Sequence, residues 1–348
     1  MSRKRIATFV HISDLHVGEI DHTTGNARLD PHGEDWLRRY HWFDGYLGHS
    51  GTALRHLDRF FRGMRRDEQA DLIVTGDLTA LGSMSEFRLA RSYLSSRNPL
   101  HNGSHIGLNV SDALQRSVLG NHDHWSGRRP QSSWDPVMLG TPGFGRSSMP
   151  WTGPSVFYQL LAPDIQLALI RVDSDADATS RMNRLLGRGV FASQLNHQNA
   201  VPVPPPTGVR QIRVMLLHHS LSSTSVRLGM CARTRSALHQ FLTQNDIRLI
   251  LTGHLHTGRG GSFVIHHPGA MEARCGSSTQ RDTLPPGWRP LGHPMESNTL
   301  LVHRLFEETS GALTWEIERY ERTTLGFGPC TSQPPPGAWG TASQQLFP

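Results

Sequence analysis

Short apolar runs recur along this chain at 6–12, 72–75, 117–119, 166–172, 213–217 and 248–251, each bounded by polar or glycine-bearing segments. Runs this short, rich in Val, Ile and Leu, predict buried strands. The stretches between them carry a longer period. "TALRHLDRFFRGMRRDEQA" sets Leu54, Leu57, Phe61 and Met64 on one face at helical spacing. "SMSEFRLARSYLSS" offers Ser83 as an N-cap with Glu86 three residues on, a capping box, and "TRSALHQFLTQND" reads as a third helix. "NTLLVHRLFEETSGALTWEIERYE" predicts a hairpin turning at Ser310-Gly311. Strands that alternate with helices imply an α/β protein.

Some segments leave that rhythm. Residues 19–50 form an insertion with Trp36, Tyr40, Phe43 and Leu47 at helical spacing, and 126–154 read as an irregular loop. "VPVPPPTG" at 201–208 is a polyproline-like connector, and residues 326–348 read as a disordered tail. The expectation is one domain over 1–325. A chain of 348 residues can bury a substantial core, and its 34 Gly and 22 Pro imply many loops.

A formal charge of +6 favours anionic ligands without indicating nucleic acid. Cys231, Cys275 and Cys330 are far apart and never in a C-x-x-C pair, which argues against a disulfide framework and a cysteine metal site. No leader-like or membrane-spanning apolar run is present, so the sequence reads as a soluble cytoplasmic protein without a membrane partner. It is compatible with a homo-oligomer.

Polar clusters follow the strands. "FVHISDLHVG" delivers Asp14 and His16, which an extended chain points the same way, and "LIVTGDLT" delivers Asp77. "SVLGNHDHW" delivers Asn121, His122 and Asp123; "VMLLHHSL" delivers His218 and His219; "LILTGHLHT" delivers His254 and His256. Taken singly, each is a turn, a cap or one more of 21 histidines. Together, at successive strand ends, they fit the crevice where open α/β sheets bind ligands. Buried Asp and His need partners, and a shared cation supplies one. Imidazole, carboxylate and amide oxygen without thiolate suit Mn, Fe, Zn, Co or Ni. The groups are too many for one ion and suit two, about 3.5–4 Å apart with a carboxylate between them.

The order D-x-H, G-D, G-N-H-D, H, G-H-x-H resembles the calcineurin-like metallophosphoesterases over roughly residues 6 to 305. That resemblance implies a four-layer α/β/β/α sandwich of two mixed sheets and a centre of two divalent or trivalent metal ions. It places Asp14, His16 and His256 on one metal and Asn121, His218 and His254 on the other, with Asp77 bridging. His218 is preferred to His219 because the family takes the first histidine of such a pair. His122 becomes the non-ligand catalytic histidine, oriented by Asp123. Ser220 and Leu119 stand where the family often has proline; neither position supplies a ligand, so the departures bear on loop shape and substrate fit.

The implied reaction is hydrolysis of a small-molecule phosphate ester by a hydroxide shared between the metals, with His122 protonating the leaving oxygen. The motif style, "HISDLH", "GDLTALGSMSEF", "LGNHD" and "GHLHT", is similar to bacterial cyclic-nucleotide and glycerophosphodiester phosphodiesterases. The alternatives are a nuclease of the same family, disfavoured by scattered arginines, and a non-catalytic metal-binding scaffold, disfavoured by an intact Asn121-His122-Asp123. His11 is expected to be buried and hydrogen-bonded, Cys275 to be a small core residue, and His22, His124, His266 and His267 to be surface residues.

Overall fold

Alternate residues of the first apolar run face opposite ways: Val10 and Ile12 pack into one buried cluster and Phe9 into another. The computed structural model that shows this describes residues 3–17, 19–20, 27–28, 51–80, 84–99, 105–124, 154–178, 188–221, 229–255, 263–266, 269–279, 298–330 and 341–347. Its strands begin with β1 (Lys4–Ile12), β2 (Glu19–Ile20), β3 (Ala27–Arg28), β4 (Asp71–Thr75), β5 (Asn98–Pro99) and β6 (His105–Ile106). Next come β7 (Ser117–Val118), β8 (Ser155–Ala162), β9 (Ile165–Arg171), β10 (Arg210–Leu216), β11 (Leu249–Thr252) and β12 (Phe263–His266). The last are β13 (Ala270–Arg274), β14 (Thr299–Glu307), β15 (Leu313–Arg322), β16 (Phe327–Pro329) and β17 (Thr341–Phe347). The described helices are α1 (Gly51–Glu68), α2 (Met84–Ser95), a single turn α3 (Ala192–Leu195) and α4 (Ala232–Gln244).

Two mixed sheets result. One runs β16-β15-β14-β1-β4-β7, with β17 also on β15; the other runs β12-β13-β11-β10-β9-β8. β1, β4 and β7 are parallel, as are β9, β10, β11 and β13, while antiparallel strands flank both sets. Leu54, Leu57 and Phe61 of α1 and Phe87 and Leu94 of α2 cover the outer face of the first sheet against Val10, Leu72, Val74 and Val302. Leu238, Phe241 and Leu242 of α4 cover the second against Met215 and Ile250. Between the sheets lie Phe9, Ile73, Leu167, Val214, Leu216, Leu249, Leu301 and Trp315. Each fully buried Leu, Ile or Phe contributes about 1.5–3 kcal/mol, so this apolar layer favours the sheets packing face to face. The architecture is the expected α/β/β/α sandwich.

A chain of polar groups also runs sideways along the first sheet. The Trp315 indole donates to His303 Nδ1 at 3.0 Å, His303 Nε2 lies 3.2 Å from His11 Nδ1, and His11 Nε2 lies 2.8 Å from Thr75 Oγ1. An indole only donates, so His303 is neutral with its proton on Nε2. His11 must then accept at Nδ1 and donate from Nε2. Burial agrees, pushing the His11 pKa down to about 3 against the weaker pull of Asp14. His11 and Cys275 are both fully buried, as expected.

The tail departs from expectation. β16 pairs with Tyr320–Arg322 and β17 with Leu313–Glu318 along the outer edge of β15. Backbone pairing at a sheet edge needs free N–H and C=O groups, not apolar periodicity, so a Pro- and Gly-rich composition hid both strands. The helical spacing expected at 36–47, most of the 126–154 loop and the Ser83 cap lie outside the described residues.

Deleting residues 341–348 should therefore lower the melting temperature and speed hydrogen exchange at the β15 amides facing β17. Unchanged exchange at β15 in the truncated protein would contradict this pairing.

Candidate metal centre

Parallel pairing brings the carboxyl ends of β1, β4 and β7 to one edge, and those of β9, β10 and β11 to the facing edge of the second sheet. The loops after β1 and β4 are zipped by Asp14 N–H to Gly76 O at 3.1 Å, His16 N–H to Asp77 O at 3.0 Å and Val17 N–H to Leu78 O at 2.9 Å. Asp14, His16, Asp77 and His254 all take left-handed backbone, with φ of 52°, 45°, 48° and 72°. Each such residue costs on the order of 1 kcal/mol, and this conformation concentrates at functional sites. The glycines of the motifs serve close approach. A Cβ on Gly120 would sit 2.2 Å from Asp77 Oδ1, and one on Gly76, itself at φ +92°, 2.5 Å from His218 Nδ1.

Asp77 lies at the middle. Its Oδ1 accepts the His122 N–H at 2.9 Å. Its Oδ2 is buried without a hydrogen-bond partner, 3.8 Å from His16 Nε2 and 3.3 Å from His218 Nε2. Asp14 Oδ1 lies 3.8 Å from His16 Nε2, and Asp14 Oδ2 accepts the His254 N–H at 3.0 Å. His218 Nε2 also lies 3.2 Å from Asn121 Oδ1 and 3.2 Å from His254 Nδ1. Ligand atoms of Asp14, Asp77 and His218 all lie within 4.8 Å of one another, and so do those of His16, Asp77 and His122. Both groups share Asp77. His256 lies outside the described residues.

Hydrogen bonds on the far side of each ring decide which nitrogens can bind a cation. His218 Nδ1 lies 2.7 Å from the Thr75 carbonyl, which only accepts, so Nδ1 carries a proton and Nε2 is the nitrogen that faces Asp77 and Asn121. His219 is arranged the other way. Ser174 Oγ accepts the N–H groups of His218 at 3.3 Å and His219 at 3.1 Å, so its own proton goes to His219 Nδ1 at 2.7 Å. A neutral His219 with that bond carries its proton on Nε2, whereas His218 carries one on Nδ1.

His122 and Asp123 do not form the expected pair. His122 Nδ1 donates to the Ala80 carbonyl at 2.7 Å, and its ring stands edge-on to His16 with centroids 4.6 Å apart. The Asp123 carboxylate accepts the N–H groups of Leu78 at 3.1 Å, Thr79 at 2.8 Å and Gly120 at 3.0 Å, with the Thr79 hydroxyl at 2.8 Å. These bonds occupy the carboxylate. It clamps the Asp77 loop to the Asn121 turn, and a backbone carbonyl orients His122 instead.

The electrostatics call for positive charge. Burial raises the Asp77 pKa, but His218, His122 and His16 outweigh it and hold the carboxylate well below its usual range. Burial lowers the His218 pKa, yet Asp77, Asp14 and the Thr75 carbonyl raise it from 6.5 to about 10. Asp123 is pushed up to about 6 by burial and by the Asp77 charge. A carboxylate oxygen buried without a hydrogen bond, facing the Nε2 of His16 and of a His218 whose Nδ1 is anchored, is what a shared cation would satisfy. The residues fit metal ions with oxygen and imidazole ligands.

Several contributors carry no motif. His124, expected at the surface, is buried, with Nε2 3.1 Å from Asp173 Oδ1. Asp173 and Ser174 follow β9 in "LIRVDSDAD", where the only available signal was that polar residues end a strand, as in every other cluster. Ala80 and Thr75 act through backbone carbonyls, which no side-chain pattern announces.

The sequence profile of calcineurin-like phosphoesterases matches residues 7–258. No curated protein matches the chain.

In the metal-free protein His218 holds its proton because the folded pocket raises its pKa, so this stabilisation is complete below pH 6.5 and is lost as pH rises toward about 10. The melting temperature of metal-free protein should fall steadily above pH 6.5 on the alkaline side. Saturating Mn displaces that proton and should flatten the slope. A metal-free melting temperature constant over this range, or a slope that Mn leaves intact, contradicts the assignment.

Proposed function

The chain belongs to the calcineurin-like phosphoesterase family, and on that premise we propose that it hydrolyses phosphodiesters, cyclic nucleotides among them, at a centre of two metal ions. The observation that carries this reading is the buried, unbonded Asp77 Oδ2 between His16 and His218. Asp14, His16 and His256 would hold one ion and Asn121, His218 and His254 the other, with Asp77 shared. When bound, such a pair supplies Lewis-acid charge for a phosphate and lowers the pKa of water. Mn, Fe, Zn, Co and Ni all suit these ligands.

The chain's own part is positioning and proton transfer. The Ala80 carbonyl fixes the proton on His122 Nδ1, which leaves Nε2 to work in the crevice. Protonated there, His122 gives its proton to the leaving oxygen as the ester bond breaks. Asp123 holds Leu78, Thr79 and Gly120 together, so the backbone that carries Asp77 and His122 moves as one piece. The phosphodiester preference rests on the motif style of "GDLTALGSMSEF" and "GHLHT". Competition between cyclic AMP and DNA separates it from the nuclease reading. No described helix is long and apolar enough to cross a membrane, and the three free cysteines suit a cytoplasmic location.

His122→Ala should keep both metals yet lose roughly 10²–10⁴-fold in rate on an ester with a poor leaving group. On bis-p-nitrophenyl phosphate the loss should be much smaller, because p-nitrophenolate leaves without a proton. Loss of metal from His122→Ala, with recovery in excess Mn, would make His122 a ligand and overturn the role given to it.

A further inference from the structure

Asn121 and His218 come from different sheets, one after β7 and the other after β10, yet the proposed second metal needs both at once. The sheets meet mainly through apolar side chains, and such contacts are non-directional. Holding two ligands at a fixed separation needs directional bonds. The loop that follows β9 supplies them to both sides.

Asp173 Oδ1 lies 3.1 Å from His124 Nε2, and His124 closes the turn that begins at Asn121, donating its N–H to the Asn121 carbonyl at 3.3 Å. The pair is shielded from solvent, with side chains 4% and 2% exposed. The next residue, Ser174, is fully buried and takes the backbone N–H groups of His218 and His219 on one hydroxyl oxygen. Asp173 is itself fixed from its own loop, since its Oδ1 accepts the Asp175 N–H at 3.0 Å. Two consecutive side chains therefore grip the two loops that would ligate one ion. Ser174 also directs its proton to His219 Nδ1.

We propose that Asp173 and Ser174 are positioning residues for the second metal site, setting the Asn121 turn against the His218 loop without ligating metal themselves. This inference rests on the two-metal reading above. Groups that orient metal ligands typically change metal affinity or activity by about 10–100-fold when removed. Because, among the described residues, the Asp173 and Ser174 side chains reach the proposed ligand loops at the Asn121 turn and the His218 loop, the loss should fall on one site.

The test is calorimetric titration of metal-free full-length protein with Mn, comparing wild type, Asp173→Asn, Ser174→Ala and Asp177→Asn. Asp177 lies in the same loop but instead holds the Ser193 N–H at 2.8 Å and the Ser193 hydroxyl. Asp173→Asn and Ser174→Ala should each weaken one of two Mn sites by about 10–100-fold and leave the other unchanged, with activity restored by excess Mn. Asp177→Asn should match wild type at both sites. Ser174→Ala removes only one oxygen and keeps the test open should Asp173→Asn fail to fold. Two unchanged sites in both variants would overturn the proposal, as would equal weakening of both sites in step with a lower melting temperature. A wild-type protein that binds fewer than two Mn would overturn the two-metal reading itself and this inference with it.

Discussion

A carboxylate taken out of water must find positive charge or give up its own, because its desolvation costs several kcal/mol. Asp77 is fully buried, and its Oδ2 faces the imidazole nitrogens of His16 and His218 instead of backbone N–H groups. Much of the surrounding architecture can be read as the means of keeping it there. Left-handed backbone at Asp14, His16, Asp77 and His254 aims side chains inward. Gly120 and Gly76 let backbone pass against the carboxylate and the His218 ring, where any Cβ would collide. Carbonyls of Thr75 and Ala80 fix the ring nitrogens of His218 and His122.

The two sheets divide the work. The first contributes Asp14, His16, Asp77 and Asn121 from parallel strands; the second contributes His218 and His254. Along the first sheet a polar chain runs from Trp315 through His303 and His11 to Thr75. That chain ends on the residue whose carbonyl holds His218, so a forced series of tautomers runs from the core to the centre. Ser13 Oγ donates to the same Thr75 carbonyl at 3.1 Å, which ties the β1 loop to the same point.

Strand positions were legible because apolar alternation is a property of side chains: 72–75 and 248–251 nearly coincide with β4 and β11. β13 was not, since "AMEAR" buries Glu272 and Arg274 and breaks the apolar signal. β17 was not, because edge pairing is written in the backbone. Within the site, Asp77, Asn121 and His218 were visible as polar residues at strand ends, and the structure brings them within contact of one another. The Asp123 clamp was not legible, because the resemblance implied a partner for His122 and no side-chain pattern shows which way a carboxylate turns. Asp123 points back to the Asp77 loop instead, where three N–H groups gather. His124 was lost among many histidines, since burial cannot be read from one residue type.

The central claim is that one carboxylate, Asp77, is shared by two cations held by imidazole, amide and carboxylate groups on either side. Low-temperature electron paramagnetic resonance of protein loaded with two Mn(II) per chain tests it most directly. Ions about 3.5–4 Å apart across a shared ligand couple their electron spins, and the account predicts the spectrum of an exchange-coupled pair. A spectrum of two isolated Mn(II) ions at full occupancy would contradict it.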